Sequence, residues 1–177
     1  MKVSKSYRND RSAAQFVDVI GKRMKDEFVK DLLAARYYSV LTDGSTDASI
    51  KEQEVVYVLY LSAGKPVVKF LSIESPDHTT SDGLKDCIEK AFQNIGITPM
   101  YDSLISLCVD GASVNTGIHN GLGVKMKSHA SWLTLVDCFN HNLELAVKET
   151  FDKTFFKDID NMLLKLFFIC TERAPND

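Results

Sequence analysis

The sequence predicts an α/β fold: a mixed sheet with an antiparallel side, a parallel side and flanking helices. Three observations point to it. Three strand-like runs, 37–42, 54–62 and 67–73, follow one another with short connections. Two more runs, 104–109 and 132–138, are each preceded by a helical pattern, as in parallel crossover units. The order helix, β-β-β, α, β, α, β, α, α therefore joins a meander of three antiparallel strands to two parallel strands.

The elements follow in turn. Residues 1–12 read as a flexible N-terminus and 13–177 as one domain. Ser12 is the expected cap of a helix from Ala13 to Ala35. Phe16, Val19, Ile20, Met24, Phe28, Leu32 and Leu33 are expected to form its buried stripe. Lys22, Arg23, Lys25 and Lys30 between them read as a solvated basic face, with a DNA- or partner-facing surface as the alternative. Tyr37–Thr42 reads as a strand with Asp43 at its end, and DGSTDAS as a loop. EVVYVLYLS and VVKFLSI form a hairpin around Ala63-Gly64-Lys65-Pro66. After a loop with Pro76 and His78, Ser81 and Asp82 open a helix that Gly96 closes. LISLCV is short and apolar, a buried strand that delivers Asp110 to its C-terminal end. Gly117, Gly121 and Gly123 are expected to keep the chain flexible before a short helix, 122–129. WLTLVDC is the fifth strand, Asn140 starts the next helix, and Phe155–Thr171 is the last. In that last helix Phe156, Ile159, Met162, Leu163, Leu166, Phe167 and Ile169 are the apolar positions.

Composition narrows the function classes. Hydrophobic residues make up 45% and charged residues 25%, ordinary for a globular protein. The formal net charge is -3, whereas a dedicated nucleic-acid domain is basic. No apolar run reaches the roughly 18 residues of a membrane span, and MKVSKSYRNDRS lacks the apolar core of a signal peptide. A reducing intracellular setting is expected, with Cys87, Cys108, Cys138 and Cys170 as core thiols rather than a disulfide framework.

Ligands bind open α/β sheets at the carboxyl ends of strands. If the strand ending at Asp110 lies parallel beside the strand ending at Asp43, two carboxylates reach one rim. Such a pair suits a hard divalent cation such as Mg²⁺, and two such ions clamp a phosphodiester in nucleases. Each aspartate alone also reads as a turn residue before glycine. A third carboxylate is not evident: Asp47 reads as a loop cap, and Glu144 lies on a later helix. Cys138 and His141 form a Cys-x-x-His pair, half a zinc site at most; otherwise His141 hydrogen-bonds across the helix start and fixes the rim. There is no Walker or Rossmann glycine loop and no GxSxG elbow, so a small-molecule substrate is not expected.

Three stretches resemble the hAT-type DNA transposases, specifically the transposon-derived hAT-like proteins of animals. LTDGSTD at 41–47 with KEQEVVYVLYL looks like the first-aspartate block, SLCVDGASVNTG at 106–117 like the second, and CFNHNLELAVK at 138–148 like the Cys-x-x-His block. The resemblance covers about 35–173. It implies an RNase H-like fold with a DDE metal site, with Asp43 and Asp110 as the first two catalytic aspartates. Cys138 and His141 would belong to the DNA-handling region. The family's catalytic glutamate lies downstream of a helical insertion, and this chain ends at Asp177, so a truncated, catalytically incomplete domain is expected. Ser45 stands where active members often carry tryptophan. The resemblance implies a nuclear location, DNA or nuclear proteins as partners, no membrane, and at most weak Mg²⁺ binding at Asp43 and Asp110. The alternative is a Mg²⁺-dependent transposase or nuclease fragment that needs a downstream glutamate. A SUMO-ligase role, assigned to some hAT-like vertebrate proteins, is a weaker alternative that no residue pattern here carries.

Overall fold

The computed structural model describes residues 9–46 and 51–172, apart from the side chains of Thr46 and 167–172. The chain divides into two units, Met1–Val136 and Asp137–Asp177.

The first unit opens with α1 (Asp10–Ala34). Its cap is Asn9, whose side chain accepts from the Ser12 backbone N–H at 2.8 Å. Ser12 is therefore inside the first turn rather than the cap, and the helix starts earlier than Ala13. Only Phe28 and Leu32 of the expected stripe are buried. Phe16, Val19, Ile20, Met24 and Leu33 are more than half exposed. Val19 and Leu33 stand on the far side of a 3.6-residue helix from Phe28; the others lie upstream of the point where the helix meets the core. The basic face is solvated, with Lys22 paired to Asp18 and Arg23 to Glu27, both at 2.8 Å.

The sheet comprises β1 (Tyr38–Thr46), β2 (Glu52–Ser62), β3 (Lys65–Glu74), β4 (Leu104–Val109) and β5 (Thr134–Asp137), in spatial order β3-β2-β1-β4-β5. The pairs β1–β2 and β2–β3 are antiparallel, and β1–β4 is parallel. The expected mixed sheet is thus present. Ala63 (φ 50°) and Gly64 (φ 75°) close the β2–β3 hairpin in two residues, because positive φ at both positions matches the twist of the flanking strands. Pro66 consequently falls inside β3, where an edge strand tolerates the missing N–H.

Helix α2 (Ser81–Gln93) is capped by Thr80 rather than Ser81, through a 3.3 Å bond from Gly83 N–H. A short 3-10 turn, Met100–Ser103, leads into β4. After β4 come α3 (Ser113–Thr116) and α4 (Leu122–Lys127). The glycines expected to loosen this segment are close-packed instead. A Cβ at Gly121 would lie 2.5 Å from Gly117 N, and one at Gly117 2.6 Å from Ser113 O.

The core lies between the sheet and α1, α2 and α4. Val40, Val56, Val58, Ile88, Phe92, Leu107 and Met126 are fully buried. Phe92 stacks on Tyr38 at 5.2 Å, and the Tyr38 hydroxyl donates to the Met100 carbonyl. Trp132, expected in the fifth strand, precedes it and donates from Nε1 to the Leu104 carbonyl at 3.0 Å. Cys87 is buried, and burial foremost pushes its thiol up to about 11; Cys108 and Cys138 are half-buried.

The second unit carries α5 (Phe139–Asp152) and α6 (Phe156–Glu172). Phe151 and Phe156 meet at 5.1 Å between ring centroids. No described helix is long and apolar enough to cross a membrane.

Leu107 sits at the centre of β4 with no exposed surface. Leu107→Ala is expected to lower stability by about 2–5 kcal/mol. Urea titration reads this as a lower midpoint at unchanged slope.

Candidate functional site

The site is built from the paired ends of β1 and β4. β1 does not stop at Thr42, as expected, but runs on to Thr46, held by pairing with β2 down to Glu52. Its parallel register with β4 sets Leu41 opposite Cys108. Two residues further along each chain come Asp43, still in β1, and Asp110, just past the end of β4, so the two aspartates follow matching positions of neighbouring strands. The expected parallel placement of these strands therefore holds.

Side-chain alternation then sorts the residues by face. Val40 and Thr42 are buried on the core side. Asp43 takes the opposite face and is exposed. Asp110, half-buried just past β4, is held by its own loop: its Oδ1 accepts from Ala112 N–H at 3.0 Å and from Asn115 Nδ2 at 2.7 Å. An aspartate that accepts a backbone N–H two residues on makes an Asx turn. Asp110 thus shapes the turn through Oδ1.

A third acid arrives that the sequence reading overlooked. Glu54 pairs across from Gly44, next to Asp43, and only 4% of its surface is exposed. The Thr42 hydroxyl donates to its Oε1. Its Oε2 would lie 3.1 Å from a Cβ at position 44, so Gly44 leaves room for this carboxyl. Burial pushes the Glu54 carboxyl above its ordinary value of 4.5, partly opposed by the Thr42 hydrogen bond and reinforced by the charges of Asp43, Asp110 and Glu52. The signal was in EVVYVLY: if Val56, Val58 and Tyr60 point inward, period two makes Glu54 point inward as well.

Asp47 lies outside the described residues. Glu144 is exposed on α5, in the second unit. Cys138 caps α5 in position only, since no side chain bonds the helix start. The expected hydrogen bond from His141 across that start is not formed among the described residues. The helix start is closed by backbone alone, with Asn142 N–H donating to the Cys138 carbonyl at 3.1 Å. Among the described residues no three His, Cys, Asp or Glu side chains converge closely enough to hold a metal ion. Asp43 and Asp110 remain a two-carboxylate rim, with Glu54 turned beneath it.

Residues 10–121 match the family described as ZMYM1/FAM200, RNase-like domain (DUF4371). The chain belongs to this family. The matched span runs from α1 through β4 and α3. It contains Asp43, Glu54 and Asp110; Cys138 and His141 lie beyond it. The mixed sheet and flanking helices are those of an RNase-like α/β fold.

The buried acid gives a test with a defined sign. With its folded value raised, Glu54 binds more protons in the native state than in the unfolded one. Stability from this group is therefore full below 4.5 and falls as pH rises through the elevated value. Glu54→Gln keeps an acceptor for Thr42 and removes the charge. The variant is expected to gain on the parent protein as pH rises from 4.5 toward 7. Thermal unfolding across that range checks it; parallel curves would show that Glu54 ionises freely.

Proposed function

We propose that this chain is a hAT-like, transposon-derived domain that acts in the nucleus as an interaction module for a protein or DNA partner, without cutting DNA by itself. One observation carries the reading. The sheet face opposite the core presents Tyr57, Val68, Phe70, Ile73 and Ile105 at 39–54% exposure. Tyr57 and Phe70 are paired across β2–β3 and meet edge-on at 5.8 Å, forming the centre of this apolar surface. An apolar patch of this kind marks an interaction surface. A net charge of -3 favours a protein over the phosphate backbone of DNA. The nuclear setting and the hAT assignment rest on the resemblance of the LTDGSTD and SLCVDGASVNTG blocks.

The placement of Asp43 and Asp110 after matching positions of neighbouring strands favours a second reading, Mg²⁺-dependent strand cleavage once a third carboxylate is supplied. Within the first unit the third acid is Glu54, and the Thr42 hydroxyl holds it below the rim. A two-carboxylate rim binds Mg²⁺ weakly, since the ion retains most of its water.

Incubation with supercoiled plasmid and Mg²⁺ is expected to leave the DNA intact. Calorimetric titration is expected to show at most millimolar Mg²⁺ affinity, on the order of -4 kcal/mol, lost in Asp110→Asn. Robust nicking that disappears in Asp110→Asn would establish the nuclease instead.

A further inference from the structure

We propose that the exposed part of α1 is a self-association arm, with the α1 of a second copy crossing it antiparallel at Gly21 and seating in the groove between α1 and β3. The proposal is independent of the carboxylate rim.

The groove has a volume of about 520 Å³ and runs between Gly21, Met24 and Phe28 of α1 and Lys69 and Leu71 of β3. Phe28 is buried in its floor, whereas Met24 is 62% exposed. The α1 residues Gly21, Met24 and Phe28 that line it share one face of the helix, which Val17 continues beyond the groove. Val17, Gly21, Met24 and Phe28 are separated by four, three and four residues, the spacing that stacks side chains along one side of a helix.

Gly21 is the centre of this face. A glycine inside a helix costs roughly 1 kcal/mol relative to alanine. A Cβ at position 21 would meet nothing within 4 Å. The packing of the described residues therefore gives no reason for glycine there. A crossing helix does, because the side chains at the contact set how closely two helix axes approach.

Charge identifies the occupant as a second copy. Asp18 and Lys25 lie three residues before and four after Gly21, on the same flank. A twofold axis through Gly21 carries Asp18 of each copy toward Lys25 of the other, so one patch complements itself twice. Both charges are open to this pairing. Among the described residues Lys25 donates one long hydrogen bond, 3.4 Å, to the Asn94 carbonyl. Asp18 holds Lys22 in a surface pair with 59% of the aspartate side chain exposed, and such pairs contribute little.

Sedimentation equilibrium of the 177-residue chain tests the arrangement. The parent protein is expected to be a concentration-dependent dimer. Gly21→Leu is expected to weaken it about tenfold or more while helical circular dichroism is kept or raised. Asp18→Lys and Lys25→Asp are each expected to weaken the dimer, and the double exchange to restore it. A chain that stays monomeric at concentrations on the order of 100 µM, with the groove left to an unrelated partner, overturns the proposal. So does a Gly21→Leu protein that dimerises as tightly as the parent. Should Gly21→Leu fail to fold, the exposed charge exchange decides, and no restoration in the double variant refutes the twofold pairing.

Discussion

The parallel pairing of β1 with β4 is the constraint on which the rest of the molecule depends. These strands are separated in sequence by β2, β3 and α2, yet they lie side by side at the centre of the sheet. Val40 is set against Leu107 there, both without exposed surface. The same register sets Asp43 and Asp110 just past a matched pair, Leu41 and Cys108. One slip of register would turn the inward residues outward. The apolar core and the acidic rim are therefore set by one interaction: the burial that holds Val40 in place also sets where Asp43 emerges.

Beneath that rim the sheet carries two acids on directly opposed positions, Glu54 on β2 and Glu74 on β3. Like charges facing one another across strands are destabilising. The structure resolves the conflict asymmetrically. Glu74 receives Lys90 Nζ at 3.2 Å and Asn94 Nδ2 at 3.4 Å from the α2 side. Glu54 receives, among the described residues, the Thr42 hydroxyl alone, and its burial favours the neutral form. This polar layer lies at the end of an otherwise apolar core, directly below the strand segment that carries Asp43.

Much of the architecture was legible in the sequence because period-two and period-3.6 patterns reflect burial directly. The strands EVVYVLYLS and LISLCV lie within a residue or two of where their patterns put them. The parallel neighbourhood of the two aspartate-bearing strands was one topology that the strand order allowed, and it is the one present. The misreadings have specific causes. The α1 stripe has the right spacing in Phe28 and Leu32, but periodicity does not tell how far a helix extends beyond its core. Asn9 outcompeted Ser12 as cap because either side chain can accept an N–H and local sequence ranks them equally. The end of β1 was placed too early because DGST resembles a turn; only the β2 partner residues, Glu52 to Val55, reveal it as strand. Glu54 was passed over because a carboxylate among valines was read as a strand boundary rather than as an inward-facing position.

The segment following Asp110 has a consequence for inheritance. From Ser113 to Gly121 the backbone packs on itself, with the Gly117 N–H bonded to the Ser113 carbonyl and the Gly121 N–H to the Gly117 carbonyl, both at 2.9 Å. No side chain at 117 or 121 takes part, and the side-chain bonds of this segment are made by Asn115 and Thr116 before it closes. Surrounding residues such as His119 and Asn120, both exposed, are left free to drift. The two glycines are not: any missense change in either codon adds at least a Cβ where backbone atoms stand closer than 3 Å. In a lineage of related genes this stretch would read as two fixed points in a variable field, with the spacing between them preserved long after the words around them have changed.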